Sequence, residues 1–278
     1  MNSNNMEDMT LKEKCRFYQI RRDYLINIDN YVLVHIDGRS FSKMVKNKFV
    51  KPFDNYFINM MNETAKYLCE KVQGVQLAYV QSDEISLLIK KNNPDGDIFF
   101  GGRMCKMQSI IASLATAKFN QLMLVYNIQK NNYTINGKDV INTTDVVDYI
   151  YESSLYQFDC KVWDVPTADD AMAWFLFRNI DCIRNSKQQT AQTYLTHKEL
   201  MGKHTDDQIQ ILNDKCGIDW NQFNDGEKYG RLVVKRDIEC TREENGETIT
   251  FTRSKWFADN GMDLTIKKNR DLFRKIWE

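Results

Sequence analysis

Two short acidic segments hold the residues best suited to chemistry. The first is His35-Ile36-Asp37-Gly38-Arg39-Ser40-Phe41, and the second is Gln81-Ser82-Asp83-Glu84. Each follows an apolar run of β character, Tyr31–Ile36 and Val75–Val80. An acid at the tip of one strand and another in a tight turn after a second strand can meet across a sheet. Carboxylates held that way, with few neutralising neighbours, suit one or two Mg²⁺ ions bound to phosphates. Asp37 can ligate through its carboxylate, while Gly38, lacking a Cβ, lets its carbonyl and backbone approach an ion or phosphate closely. The turn Gly38–Ser42 enters a short helix whose free N–H groups can cradle a triphosphate, and Lys51 can reach a further phosphate oxygen. Asp37-Gly38 alone also reads as an ordinary turn. In a strand-like tip alternate residues face opposite ways, so Asp83 and Glu84 are not expected to bind the same ion.

The elements that must position these residues follow from periodicity. Leu11–Tyr24 reads as an amphipathic helix. In Asp54–Val72 the residues Phe57, Met61, Ala65, Leu68 and Val72 recur at helical spacing. Val75–Val80 and Ile85–Lys90 form a hairpin around Gln81–Glu84. Lys106–Tyr126 is a long buried helix, residues 128–150 are ambiguous, and Phe158–Val165 is a strand stopped by Pro166. Ala168–Leu195 is a long helix, apolar in its first half and basic-polar in its second. Its aromatic stretch Trp174–Phe177 is expected in the core. Thr205 with Gln208 has a capping-box pattern. Arg231–Cys240 and Thr248–Trp256 flank a hairpin signal. The order β-α-β-β-α-β predicts an α+β fold: a ferredoxin-like antiparallel sheet backed by helices, the palm of polymerases and cyclases. Residues 1–166 would form this core, and residues 167–278 a helical and β-hairpin extension, with one compact unit as the alternative.

Composition narrows the class. At 42% apolar and 12% aromatic residues the chain can fill a core. Its 38 Lys and Arg balance 38 Asp and Glu, so a nucleic-acid site must be a local patch. The seven cysteines are scattered without C-x-x-C spacing, which argues for reduced thiols over a zinc site or disulfide framework. No apolar run reaches membrane-spanning length, and the polar start MNSNNMEDMT is unlike a secretory signal, so a cytoplasmic location is expected, with a mitochondrial one open. The basic residues Arg178, Arg184, Lys187, His197, Lys198 and Lys203 cluster on and after the second half of the long helix. They suit a 5′ phosphate or triphosphate, or simply a solvated face. Lys235, Arg236, Arg253 and Lys255 on the hairpin allow the same two readings.

The motifs His35–Phe41, Lys51-Pro52-Phe53-Asp54, Ala78–Glu84, Phe158-Asp159-Cys160-Lys161 and Phe177–Cys182 resemble those of the tRNA-histidine guanylyltransferases. The likeness runs over roughly residues 10–260. After the Asp-Cys pair, however, those enzymes carry His-Ile-Asn-Asn-Leu-Tyr-Asn-Thr, whereas this chain has Ile183–Ala191. With Thr196–Leu200 and Gly202-Lys203, that segment is closer to the guanylyltransferase-like proteins. The resemblance implies a template-dependent 3′→5′ polymerase restoring 5′-truncated or 5′-mismatched tRNA, with a tRNA-His guanylyltransferase as the alternative. A nucleotide cyclase or a non-catalytic RNA-binding module is the more distant reading. The implied substrates are ATP and GTP or other NTPs, the implied cofactor is two Mg²⁺, and the implied assembly is a homotetramer. The implied roles are Asp37, Gly38 and Asp83 as metal ligands, with Asp37 and Asp83 catalytic. Residues Asp37 to Ser42 (through Arg39, Ser40 and Phe41), with Lys51, Ser82 and Asp83, would hold a nucleotide that Asp54 helps position. Arg184, Asn185, Lys187, His197, Lys198 and Lys203 would hold RNA or a second triphosphate. Glu84 would be structural. His35 stands where arginine is common, which makes the charge there pH-dependent.

Overall fold

The computed structural model describes Thr10 and residues 24–130, 154–244 and 247–278. The expected helix at Leu11–Tyr24 therefore lies almost wholly outside the described residues, as does most of the ambiguous stretch 128–150. The strands are β1 (Tyr31–Gly38), β2 (Val75–Gln81), β3 (Glu84–Ile89), β4 (Phe158–Val165), β5 (Arg231–Glu244) and β6 (Glu247–Asn260). The helices are α1 (Phe41–Lys48), α2 (Asn55–Lys71), α3 (Met104–Lys130), α4 (Ala168–Tyr194), α5 (His197–Leu200), α6 (Thr205–Cys216), α7 (Asp225–Lys228) and α8 (Lys267–Arg274).

All six strands join one antiparallel sheet in the order β4-β1-β3-β2-β5-β6. The first four strands in that order make the expected ferredoxin-like sheet. The β5-β6 hairpin continues the same sheet: Val80 pairs with Arg231 and Ala78 with Val233, so pairing crosses the boundary expected at residue 166.

Helices cover both faces of the sheet. Val32, Val34, Ile36, Ile85 and Leu87 pack against α2 and α3 through Met61, Ala65, Leu68, Ile111 and Phe119. Leu33, Leu77, Tyr79 and Leu88 pack on the other face against Ala171, Met172 and Phe175 of α4 and Phe273 and Trp277 at the C-terminal end. Burial on two faces explains why β1 and β3 are continuous apolar runs instead of alternating ones. Of the aromatic stretch on α4, Phe175 is fully buried, but Phe177 is exposed beneath the Arg178 guanidinium, 4.4 Å from its ring.

Thr205 does not cap α6. The cap residue is His204, and the Gln208 amide donates to the Lys203 carbonyl at 3.0 Å. Capping boxes form instead at Thr196 with Glu199 and at Asn224 with Glu227. A buried Asn179 ties α4 to the loops around Tyr229 and Met262–Leu264. Among the described residues six cysteines are free, and no helix is long and apolar enough to cross a membrane.

Candidate active site

The two acidic turns meet. β1 lies beside β3 with Asp37 opposite Glu84, and the Gly38 N–H donates to the Asp83 carbonyl at 3.2 Å. On the other side of β1, Asp37 is level with Asp159 of β4. Asp37 consequently sits half-buried among carboxylates. Desolvation, then repulsion from Asp83, Glu84 and Asp159, pushes its pKa from 3.8 up to about 6. Burial also raises the pKa of Asp83, against hydrogen bonding from Ser82 and the pull of Lys51. Two acids held at such cost, with one partly desolvated lysine nearby, form a site short of positive charge.

The neighbouring residues have separate tasks. Glu84 accepts from Arg178 Nη1 and from the Gln81 amide, each at 2.8 Å, so it is braced, as expected of a structural residue. Arg178 is thereby removed from the basic RNA-facing cluster, since its guanidinium is buried against Glu84 and Asp181. His35 lies beneath this brace, 4.0 Å from Glu84. Burial lowers its pKa below 6.5, so near neutral pH the position is uncharged.

Gly38 is required for a reason beyond close approach of a ligand. A Cβ there would fall 2.6 Å from Cγ of Phe41, which is itself packed against Phe119 and Phe158. The Phe41 ring therefore belongs to the core, and only its backbone is available to a nucleotide. Gly38→Ala is expected to cost about 1–3 kcal/mol in thermal or urea unfolding as the Phe41 ring is displaced. Ser40 takes a left-handed conformation ahead of α1, at φ 60°. Arg39 is tied to Gln157 through backbone and side chain, at 2.9 and 3.1 Å. The tight turn after β2 places Ser82 at φ 44°.

A cavity of about 380 Å³ opens beside Asp83. Its wall includes Ser42, Lys51, Asp54, Ser82 and Asp83, and from α4 Asn185 and Gln189. The loop, turn and helix singled out in the sequence thus meet at one cavity. Asp54 nevertheless has a different main task. Its Oδ1 caps α2 by accepting from the N–H groups of Tyr56 and Phe57, and its Oδ2 accepts from Val50 at 2.9 Å. It shapes the loop carrying Lys51.

The remaining basic candidates lie away from the cavity. Arg184 pairs with Asp181 on the surface of α4, and Lys187 pairs with Asp206 at 2.6 Å. His197 and Lys198 lie on α5 and Lys203 in the following loop, with Lys198 and Lys203 exposed. Gln189, whose amide donates to the Pro52 carbonyl, and Glu227 and Arg231 line the cavity and were missed. No local pattern marks them, because each enters from a different segment.

The profile of the family described as tRNAHis guanylyltransferase matches residues 12–166. The chain belongs to the tRNAHis guanylyltransferase family. Its fold and its enzymatic class, nucleotidyltransferase, follow. Among curated relatives, the tRNA(His) guanylyltransferase of Debaryomyces hansenii is 25% identical over 236 residues, covering 81% of this chain and 80% of the relative. An uncharacterised protein of Acanthamoeba polyphaga mimivirus is 25% identical over 250 residues, covering 87% and 82%. A solved bacterial tRNA(His) guanylyltransferase-like protein in complex with ATP is 26% identical, with TM-score 0.76, covering 97% of this chain and 99% of that one. A bacterial guanylyltransferase-like protein in complex with GTP gives a TM-score of 0.70 at 26% identity. The motif resemblance read from the sequence is thereby borne out, including its lean toward the guanylyltransferase-like members.

Proposed function

We propose that this member of the guanylyltransferase family is a template-dependent 3′→5′ nucleotidyltransferase that rebuilds the 5′ end of truncated or mismatched tRNA. The observation that carries the reading is the meeting of Asp37 and Asp83 beside a cavity lined by Ser82 and Lys51.

The reaction has two displacements. A 5′-monophosphate oxygen attacks the α-phosphorus of ATP or GTP, forming a 5′-nucleotidylated end and releasing pyrophosphate. The 3′-hydroxyl of an incoming NTP then attacks the 5′ phosphorus of the RNA, and AMP or GMP departs. Lys51 would hold a phosphate oxygen beside Asp83, and the backbone entering α1 at Ser42 would face the phosphates. Two Mg²⁺ held by Asp37, the Gly38 carbonyl and Asp83 would neutralise charge on attacking and leaving oxygens. The donor set is all hard oxygen, and Asp37 is destabilised as an anion by its neighbours, so both fit such ions. Among the described residues no three His, Cys, Asp or Glu side chains form a closed cage. That is consistent with magnesium sites completed by backbone and substrate phosphate.

The exposed cations Arg184, Lys198 and Lys203, with Lys187 and His197, lie outside the cavity and are assigned to RNA, shared among the subunits of a homotetramer. A cytoplasmic location fits the same reading. The test is incubation of 5′-truncated tRNAs with Mg²⁺, ATP and labelled NTPs, followed by sequencing of the 5′ ends. Several nucleotides complementary to the 3′ strand are expected. A single guanosine confined to tRNA-His would favour the alternative, which the names of the curated relatives support. Cyclic product without RNA would sink both.

A further inference from the structure

Pairing of β2 with β5 is confined to Ala78–Val80 against Arg231–Val233, yet β2 starts at Val75 and β5 runs on beside β6 to Glu244. Beyond Val233 the hairpin therefore leaves β2, and a wedge opens between them. A cavity of about 820 Å³ fills it. Its wall combines the end of α2 and the start of β2 with Lys235, Arg253, Lys255 and Trp256 of the hairpin. It shares no lining residue with the cavity beside Asp83, which lies at the other end of β2, about 20 Å away at the rise of a strand. The fold leaves two features of this wall unused. Lys235, Arg253 and Lys255 have no carboxylate within ion-pair reach among the described residues, although Arg236 and Arg242 on the same hairpin are paired with Asp259 and Glu244. Glu70 is the one acid on the wall among the described residues, and the fourth cation there, Lys66, is paired with Glu63. Trp256 packs against the core on the α2 and α3 side, yet it is only partly buried and lines the cavity. The Lys235 ammonium lies 6.0 Å from the centre of its ring.

We propose that this cleft is a second nucleotide-binding site, in which a base stacks on Trp256 and its phosphates meet Lys235, Arg253 and Lys255. A ring fixed by the core beside unpaired cations matches the two halves of a nucleotide. Stacking accepts any base, and the cations take up phosphate without reading sequence. The volume suits one nucleotide. A bare anion would use the cations and leave the indole idle, and an apolar ligand would do the reverse. A free nucleotide and one nucleotide of an RNA strand bring the same base and phosphate. The distance from Asp37 and Asp83 makes this a holding site and not a reacting one.

Equilibrium dialysis of the full chain with ATP, tripolyphosphate and the oligoribonucleotide tetra-adenylate, in chelator, tests this. Wild type is expected to bind one more molecule of a nucleotide probe per chain than the double variant Lys235→Gln/Arg253→Gln. Trp256→Leu should weaken that additional molecule roughly 10-fold, the scale of one lost stack, and leave tripolyphosphate unchanged. Tighter binding of ATP at the additional site would mark a site for free nucleotide, and tighter binding of tetra-adenylate a site for an RNA strand. Equal stoichiometry in wild type and double variant for both nucleotide probes would overturn the proposal, whether or not the cavity beside Asp83 binds. Tripolyphosphate binding at the additional site as tightly as ATP and tetra-adenylate would also overturn it, since an anion site has no use for the indole. Both positions of the double variant are exposed, so the test stands even if Trp256→Leu does not fold.

Discussion

Asp37→Asn is expected to abolish 5′-end extension while making the metal-free protein slightly more stable at pH 8. The two effects have one cause. Asp37 lies among Asp83, Glu84 and Asp159, and its folded pKa of about 6 stands above the ordinary 3.8. A raised acid weakens the folded state once the unfolded chain has released its proton. The contribution is nil below about pH 4, grows between pH 4 and 6, and is complete above that range. After allowance for solvent screening it is on the order of 1 kcal/mol. The difference between wild-type and Asp37→Asn unfolding curves isolates Asp37 together with the carboxylates that repel it. Wild type should fall behind the variant as pH rises from 4 to 6.5 in chelator. Magnesium at pH 8 should raise the melting temperature of wild type more than that of the variant. Activity should fall by at least ~10²–10³-fold, the loss typical of removing a group that stabilises developing charge. Asp83→Asn should behave likewise in activity. A variant that retains extension activity, or a wild type that gains stability relative to the variant across that pH interval, would contradict the assignment of Asp37.

The sequence made the acidic edge visible because its constraints are local. Asp37 is six residues into an apolar strand, and Ser82-Asp83 occupy a two-residue turn between two runs of matching length. Strand identity and register follow from those runs, and register brings the acids together. Resemblance to a family added the substrate class, which spacing alone left open. The interior walls of the site were harder to read because each is set by distant partners. Arg178 looked like one more surface cation on a basic helix, but its carboxylate is Glu84 on β3. Asp54 looked like a ligand-positioning acid, but its oxygens are occupied by backbone N–H groups within four residues. Arg231 looked like the first residue of an exposed hairpin, but β5 joins the central sheet beside β2, which buries its first residues. That joining also explains why the boundary at residue 166 does not divide the sheet.

Two asparagines on α4 carry the same contrast into a measurement, because their type and helix are the same and their surroundings differ. Asn179 is fully buried. Its Nδ2 is shared among Tyr79 Oη at 3.2 Å, the Tyr229 carbonyl at 3.0 Å and the Met262 carbonyl at 3.1 Å. Its Oδ1 accepts from the Leu264 N–H at 2.8 Å. Asn185, six residues later, is exposed at the cavity and makes a 3.3 Å contact with Asp181. Asn179→Leu keeps the branched heavy-atom skeleton but strands the Leu264 N–H and the Met262 carbonyl in the interior. Each stranded group costs about 1–3 kcal/mol, so a loss of roughly 3–5 kcal/mol in urea unfolding is expected. Tyr79 keeps its own bond to the Tyr229 carbonyl at 2.7 Å, which limits the damage. Asn185→Ala should leave stability within about 0.5 kcal/mol and show its effect in nucleotide affinity alone. The Asn179 variant should lose nucleotide affinity as well, because Tyr229 and Gly230 lead directly into Arg231. Gly230 cannot shift to compensate: at φ 81° it packs so closely that a Cβ would sit 2.6 Å from Tyr79 Oη. If Asn179→Leu unfolds with the wild-type midpoint, the buried hub does not hold α4 to the sheet edge. If Asn185→Ala instead proves the destabilising change, the orientation of α4 over the cavity is wrong.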